Sequence, residues 1–539
     1  MLAPLPLLIA SALPVVVYGL PSLPPTVFVD AAAIVGVNNG SVSKFLGIPF
    51  AKAPRFRLPV PVSPYFGILD ASDYGPSCSQ QVVQLASSSS SRRSAEDYGI
   101  SPQFAKRDGS VAAEECLSIN VIRPKTACST DKLPVVVWIY GGGFETGSTL
   151  GYDDQSTRIV TRSIALGTPV IHVAMNYRLS AFGFLASKEI KGEGTGNFGL
   201  YDQRAALKWV NKYIQSFGGD PTKVTIWGQS AGAISVAMQM LAFGGKTDGL
   251  FRAGFMQSGS VVAVSDITNG QKNYDQLVND TGCAGSNNTL QCLRNVSFDT
   301  LVAAINKSPS YLSYSSLSTA WTVRVDGTFL QDEPYKLVQA GKVAKIPIVS
   351  GNCDDEGTIF SQSQSNVTTE DDFRNYVSTI YVPDASDAQL EPFWTNYPST
   401  PSEGSPYDTG DADELYPQYK RIASFQGDLT FQAPRRFFLQ NLSGKQKIWS
   451  YLNKKLKTAS PFGSYHTSDL VAGLLDDYII RFTAFLDPTL ASGPAWPQYN
   501  ATTPKLYTFA DGVGPFISDD TYRAEPMNYI TNLATIFPF

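Results

Sequence analysis

Histidine is almost missing: the chain of 539 residues has two. No C-x-x-C pair occurs among its six cysteines, so the nitrogen and sulfur sets that hold structural zinc are excluded and no metal is expected. Clusters of basic residues are absent as well. The formal charge of -5 comes from 42 basic and 47 acidic side chains spread along the chain, with no stripe of cations to neutralise phosphates or anionic head groups. Nucleic acid is therefore not an expected partner. Charged residues make up 17% and apolar residues 43%, a balance too apolar for disorder and ordinary for a globular protein. No internal repeat and no break in composition marks a linker, and only one apolar run, at the N-terminus, approaches the length of a membrane span.

That run extends from Leu2 to about Tyr18 and is interrupted by Pro4, Pro6 and Pro14 before the small Gly19. It reads as a secretory signal peptide over residues 1–19, lacking the usual basic residue at its start, with the remaining 20–539 as one domain. A membrane anchor is the competing reading, disfavoured by the interruptions. Export would give meaning to the N-x-[ST] sequons at Asn39, Asn279, Asn287, Asn295, Asn306, Asn366, Asn441 and Asn500, which are candidate glycosylation sites. It would also permit disulfides among Cys78, Cys116, Cys128, Cys283, Cys292 and Cys353. Sequence separation favours a short Cys283–Cys292 loop and a longer Cys78–Cys116 loop, each worth roughly 2 to 4 kcal/mol in the loop-entropy model.

Several runs, "LPVVVWIY" at 133–140, "PVIHVAMN" at 169–176, "KVTIWG" at 223–228 and "IPIVSG" at 346–351, are continuously apolar, as strands buried on both faces are. Between the second and third, Leu207, Val210 and Ile214 share one face of a helical pattern that Gly218 and Gly219 would stop. This is a βαβ pattern, and it predicts an α/β protein with a mostly parallel sheet. One low-complexity stretch, "ASSSSSRRSAEDYG" at 86–99, lies between Cys78 and Cys116 and reads either as a solvated surface loop or as a lid.

A serine stands where the third strand meets a helix. Gly228, Gln229, Ser230, Ala231 and Gly232 form G-x-S-x-G in the strand-to-helix context of a nucleophile elbow, against the alternative of a plain tight turn. Such a hydroxyl needs a base. His172 sits inside an apolar strand pattern and reads as a core histidine with satisfied nitrogens; His466, in the loop "PFGSYHTSDL", is the base by elimination. An orienting acid is expected between them in the chain, after a strand, and Asp354, Asp355 and Glu356 all qualify on spacing. Gly141, Gly142 and Gly143 follow another strand, where bare backbone can present amides to a developing oxyanion.

Taken together, "FLGIPFAKAPRFRLPVP", "EECLSINVIRP", "VVVWIYGGGFETGS", "NYRLSAFGFLAS", "TIWGQSAG", "FRAGFMQSGS", "DDEGTIF" and "YHTSDL" resemble the type B carboxylesterase/lipase family, the cholinesterase-like α/β hydrolases. The likeness is greatest to secreted fungal lipases and sterol esterases of the Candida rugosa lipase type, and it spans essentially the whole mature chain. It implies an α/β-hydrolase fold with a large, mostly parallel mixed sheet flanked by helices and a disulfide-closed lid loop. The activity implied is a secreted serine carboxylic-ester hydrolase without cofactor or metal, working through an acyl-enzyme.

By the same resemblance Ser230 is the nucleophile, Glu356 the acid, His466 the base, and Gly142, Gly143 and Ala231 the oxyanion donors. Cys78 pairs with Cys116 and Cys283 with Cys292, leaving Cys128 and Cys353 as thiols, and Arg55 forms an ion pair with Glu114. The implied partners are a small-molecule or lipid ester, with a transient lipid-interface contact, on a monomer or homodimer. Medium to long acyl esters are the expected substrates. The family also contains catalytically inert adhesion proteins, but those typically lack the serine, whereas here all three catalytic positions are filled.

Two departures stand out. Gln229 occupies a position where many members carry Glu, and the segment between Cys78 and Cys116 is largely serine and charge where the lipases have an amphipathic flap. Little apolar surface would then be exposed on opening, which argues against interfacial activation.

Overall fold

The computed structural model describes residues 23–83 and 111–538. The expected signal peptide at 1–19 and the serine-rich stretch at 86–99 lie outside the described residues. The main sheet is built from β1 (Val37–Asn39), β2 (Val42–Pro49), β3 (Ser118–Pro124), β4 (Leu133–Ile139), β5 (Ile171–Met175) and β6 (Gly219–Gln229). It continues with β7 (Ala253–Gln257), β8 (Ile348–Cys353), β9 (Ile448–Lys454), β10 (Lys505–Ala510) and β11 (Phe516–Asp519). Its eleven strands run in the order β11-β10-β9-β8-β7-β6-β4-β5-β3-β2-β1. From β10 to β5 neighbours are parallel; the outer pairings are antiparallel.

Burial on both faces explains the apolar runs. Val135, Val136, Val137, Trp138 and Ile139 alternate in direction along β4, yet each is fully buried, which a sheet covered on both sides requires. β8 starts at Ile348, two residues after the apolar run begins, because Pro347 has no N–H to give the ladder. The helix α1 (Phe198–Tyr213) continues as a short 3-10 turn over Ile214–Phe217, and Leu207, Val210 and Ile214 are all buried against the sheet. Gly218, at φ 94°, stops it in the left-handed region, while Gly219 already opens β6.

The strand order places the site. From β4 the chain moves to β5 on one side and then, through α1, to β6 on the other. At such a reversal the loops leaving the carboxyl ends of the strands part and open a crevice. The loops after β4 and β6 both leave here, those after β8 and β9 further along the same edge. The structure joins Cys78 to Cys116 and Cys283 to Cys292, with free thiols at the exposed Cys128 and the buried Cys353. Arg55 pairs with Glu114, the Nε to Oε2 bond measuring 2.8 Å. Among the sequons, Asn39, Asn279, Asn287, Asn295, Asn366 and Asn500 are exposed, whereas Asn306 and Asn441 use their amides internally, on Val82 and Phe437.

Candidate active site

β6 ends at Gln229, and Ser230 turns the chain into the helix α2 (Ala231–Gly245) with φ 56° and ψ −128°. A side chain held at positive φ is strained, and the packing around it explains why it stays there. A Cβ on Gly228 would sit 2.3 Å from the Gly232 carbonyl, and one on Gly232 would sit 2.0 Å from Ile139 O. Strand and helix thus approach so closely that only glycine fits on either side. The Ser230 amide donates to Gln257 O on β7 at 2.9 Å, and its side chain faces a cavity of about 590 Å³.

The glycine loop after β4 borders the same cavity. Gly142, Gly143 and Ala231 line it together with Ser230, and a Cβ on Gly141 would be 2.8 Å from Ser230 Cβ. The loop is folded back on itself: Gly142 O accepts the amides of Glu145 at 2.9 Å and Thr146 at 3.0 Å. The Ala231 amide opens a helix, where N–H groups have no partner one turn back and attract negative charge.

Composition did not single out Glu145, although an acid two residues after a glycine triplet is itself a signal. It is wholly buried, its Oε2 accepts the Tyr311 amide at 3.1 Å, and burial pushes its carboxyl well above the ordinary range. Burial thus favours its uncharged form, and its bond to Tyr311 N braces the loop. Gln80 and Gln81, at the base of the disulfide-closed segment, bond to Gly147 N and Glu145 O and tie that segment to the same brace.

Three consecutive acids follow β8, and their surroundings separate them. Asp354 is ion-paired to Lys457 at 2.7 Å. Asp355 accepts Ser464 N and Lys457 Nζ on one oxygen and Tyr407 N on the other, at 2.7 to 2.8 Å. Glu356 alone reaches the ring of His466: its Oε2 lies 2.5 Å from Nδ1, while its Oε1 accepts the Cys353 amide at 2.7 Å. The imidazole is wholly buried between Phe431 and Phe360, whose ring centroids lie 4.6 and 5.1 Å away. Its Nε2 points to the elbow, 3.1 Å from the amide nitrogen of Gln229. Phe431 belongs to a π-helical turn, Asp428–Gln432, and a second one, Val377–Tyr381, also lines the cavity. Periodicity gave no hint of either; such turns often occur at functional sites.

His172 stands apart, in the middle of β5. It was expected to have satisfied nitrogens, but its Nε2 has no hydrogen-bond partner among the described residues, and burial drives its pKa down to about 3. The ring stays neutral and packs edge-on to Trp227, so the missing bond costs less than a buried charge would. Among the described residues no group of His, Cys, Asp or Glu is arranged to hold a metal ion, and no helix is long and apolar enough to cross a membrane.

Known proteins carry the same architecture. The chain is 39% identical to Lipase 4 of Diutina rugosa, over 95% of its own length and 97% of that protein's. It is 38% identical to the secreted triacylglycerol lipase LIP1 of Gibberella zeae, covering 94% and 90% of the two chains. The crystal structure of Aspergillus niger EstA superposes with a TM-score of 0.80 at 26% identity, covering 96% of this chain and 99% of that one. Residues 24–483 match the model of the Carboxylesterase family, and with an α/β-hydrolase sheet and relatives of this kind, the chain belongs to that family and is a carboxylic-ester hydrolase.

Proposed function

We propose that the protein is a secreted serine esterase of the lipase type, with residues 20–539 as its catalytic unit. Ser230 Oγ attacks the ester carbonyl while His466 Nε2 takes its proton. Gly142, Gly143 and Ala231 donate to the oxyanion, the imidazolium protonates the departing alcohol, and water activated by the same imidazole releases the acid from the acyl-enzyme. Glu356 holds the ring in the Nδ1–H tautomer. The 2.5 Å contact between His466 Nδ1 and Glu356 Oε2, on a buried ring whose far nitrogen faces the residue before Ser230, carries this reading.

Replacing Ser230 by alanine should leave folding intact and lower turnover on the order of 10⁴-fold or more. An organophosphonate should label Ser230 in the native enzyme; a retained rate in the variant, or no label, refutes the assignment. Export is supported by the N-terminal apolar run, the exposed sequons and the two disulfides.

Medium to long acyl esters are the proposed substrates. The cavity is large enough for an acyl chain and carries Phe144, Ile234, Leu317, Ile380 and Leu429 on its walls, and a relative is named a triacylglycerol lipase. Rates on p-nitrophenyl esters of increasing length should rise beyond acetate; activity confined to acetate contradicts the proposal.

A further inference from the structure

Gln229 is wholly buried, and its amide has two ends in different situations. The nitrogen lies 3.1 Å from His466 Nε2, and the oxygen has no hydrogen-bond partner among the described residues. Polarity at the ring decides this orientation. Glu356, as a carboxylate, can only accept, so the proton of the neutral ring sits on Nδ1 and Nε2 presents a lone pair. A carbonyl oxygen turned toward that lone pair would be repelled, whereas an N–H is drawn to it. The side chain has little room to leave: a Cβ on Gly141 would fall 2.9 Å from Gln229 Oε1.

We infer that Gln229 is a positioning residue: in the resting enzyme it donates to His466 Nε2, keeps the ring neutral and aimed at the elbow, and thereby sets the acid limit of activity. This rests on the serine mechanism proposed above. A donor on Nε2 stabilises the neutral ring and opposes its protonation. Once the Ser230 proton has moved to Nε2, the ring becomes a donor, and the same amide turned over can accept with its oxygen. A carboxylate at this position could serve only the protonated ring. The amide can serve both states and adds no charge.

The other ionisable groups around the ring are Glu356 in contact with it, Asp469 whose carboxyl feels its charge, and Cys353 and Tyr451, which pack against those two acids. All are unchanged by substitution at 229.

The test compares pH profiles of kcat/KM. In Gln229→Glu a negative charge about 3 Å from the ring should move the acid limb upward by about one pH unit or more. Gln229→Leu, which removes the donor without adding charge, should move it upward by a few tenths. KM should change less than about threefold in each. A role confined to packing would lower kcat equally at every pH and leave the limb in place; that result, or a downward shift, overturns the inference.

Imidazole ¹⁵N spectra of Ser230→Ala, with and without each Gln229 substitution, give a readout independent of rate. Only two rings exist, so the resonances that persist in a His172→Leu background belong to His466. Its midpoint should rise in the order Gln, Leu, Glu; an unmoved midpoint or a different order overturns the inference even if a variant is inactive. Failure of the phosphonate to label native Ser230 would defeat the serine mechanism itself, whereas labelling with an unmoved limb would defeat only the role of Gln229.

Discussion

The two histidines are both wholly buried, and the contrast between them shows what makes an imidazole useful. His172 has strand neighbours on both sides and, among the described residues, no partner on Nε2, so burial outweighs the charge of Asp153 and holds its pKa down. His466 has a carboxylate on one nitrogen and an amide on the other. Burial supplies a low dielectric in both places. Among the described residues only the second ring has a carboxylate in hydrogen-bond contact, and that group comes from 110 residues away in the chain. Desolvation without a bonded carboxylate disfavours the protonated ring; a bonded carboxylate offsets that cost.

Removing the partner should erase the contrast and produce the largest effect. Glu356→Gln can turn an N–H toward Nδ1 and favour the wrong tautomer, so kcat should fall by roughly 10³ to 10⁴ with KM little changed. A loss below tenfold would mean that the acid does not orient the ring. Asp355→Asn comes next. Asp355 does not touch the ring but fastens its loop through Ser464 N and Lys457, and a ring displaced by a fraction of an ångström should cost about 10- to 100-fold in kcat. Hydrogen exchange of the Ser464 amide would report the loosening directly, and unchanged protection would argue against it.

The smallest effect on rate belongs to His172→Leu, expected to leave kcat at pH 7 within about twofold. Its signature is in stability. The folded ring titrates near 3, below the unfolded value of 6.5, so between those values the unfolded chain binds more protons. Stability therefore falls as pH drops through this window. Leucine removes this liability, and the loss of unfolding free energy between pH 6.5 and 4 should shrink by on the order of 1 to 3 kcal/mol in urea titrations. An unchanged slope with pH would show that His172 is hydrated.

Much of this was legible in the residues. The four apolar runs are strands of the sheet, and G-x-S-x-G lies at a strand-to-helix bend, because continuous apolar runs, glycine steric freedom and chain stops act over a few neighbours. The choice among Asp354, Asp355 and Glu356 was not legible from spacing. Adjacent side chains leave the backbone in different directions, and which of them meets His466 depends on where the loop after β9 lies. The bracing by Glu145 was also hidden, since its burial and its bond to Tyr311 N depend on a residue far along the chain.

By itself the sequence determined the strands, the bend and the small residues around it, since these depend on contacts within a turn or two. Tertiary structure alone decided that Glu356 rather than Asp355 meets the imidazole, that Gln229 lies against its other nitrogen, and that His172 Nε2 has no partner among the described residues. The physical reason is that pairing, burial and charge are set by groups brought together through the packing of distant loops. Short-range preferences carry no information about that packing.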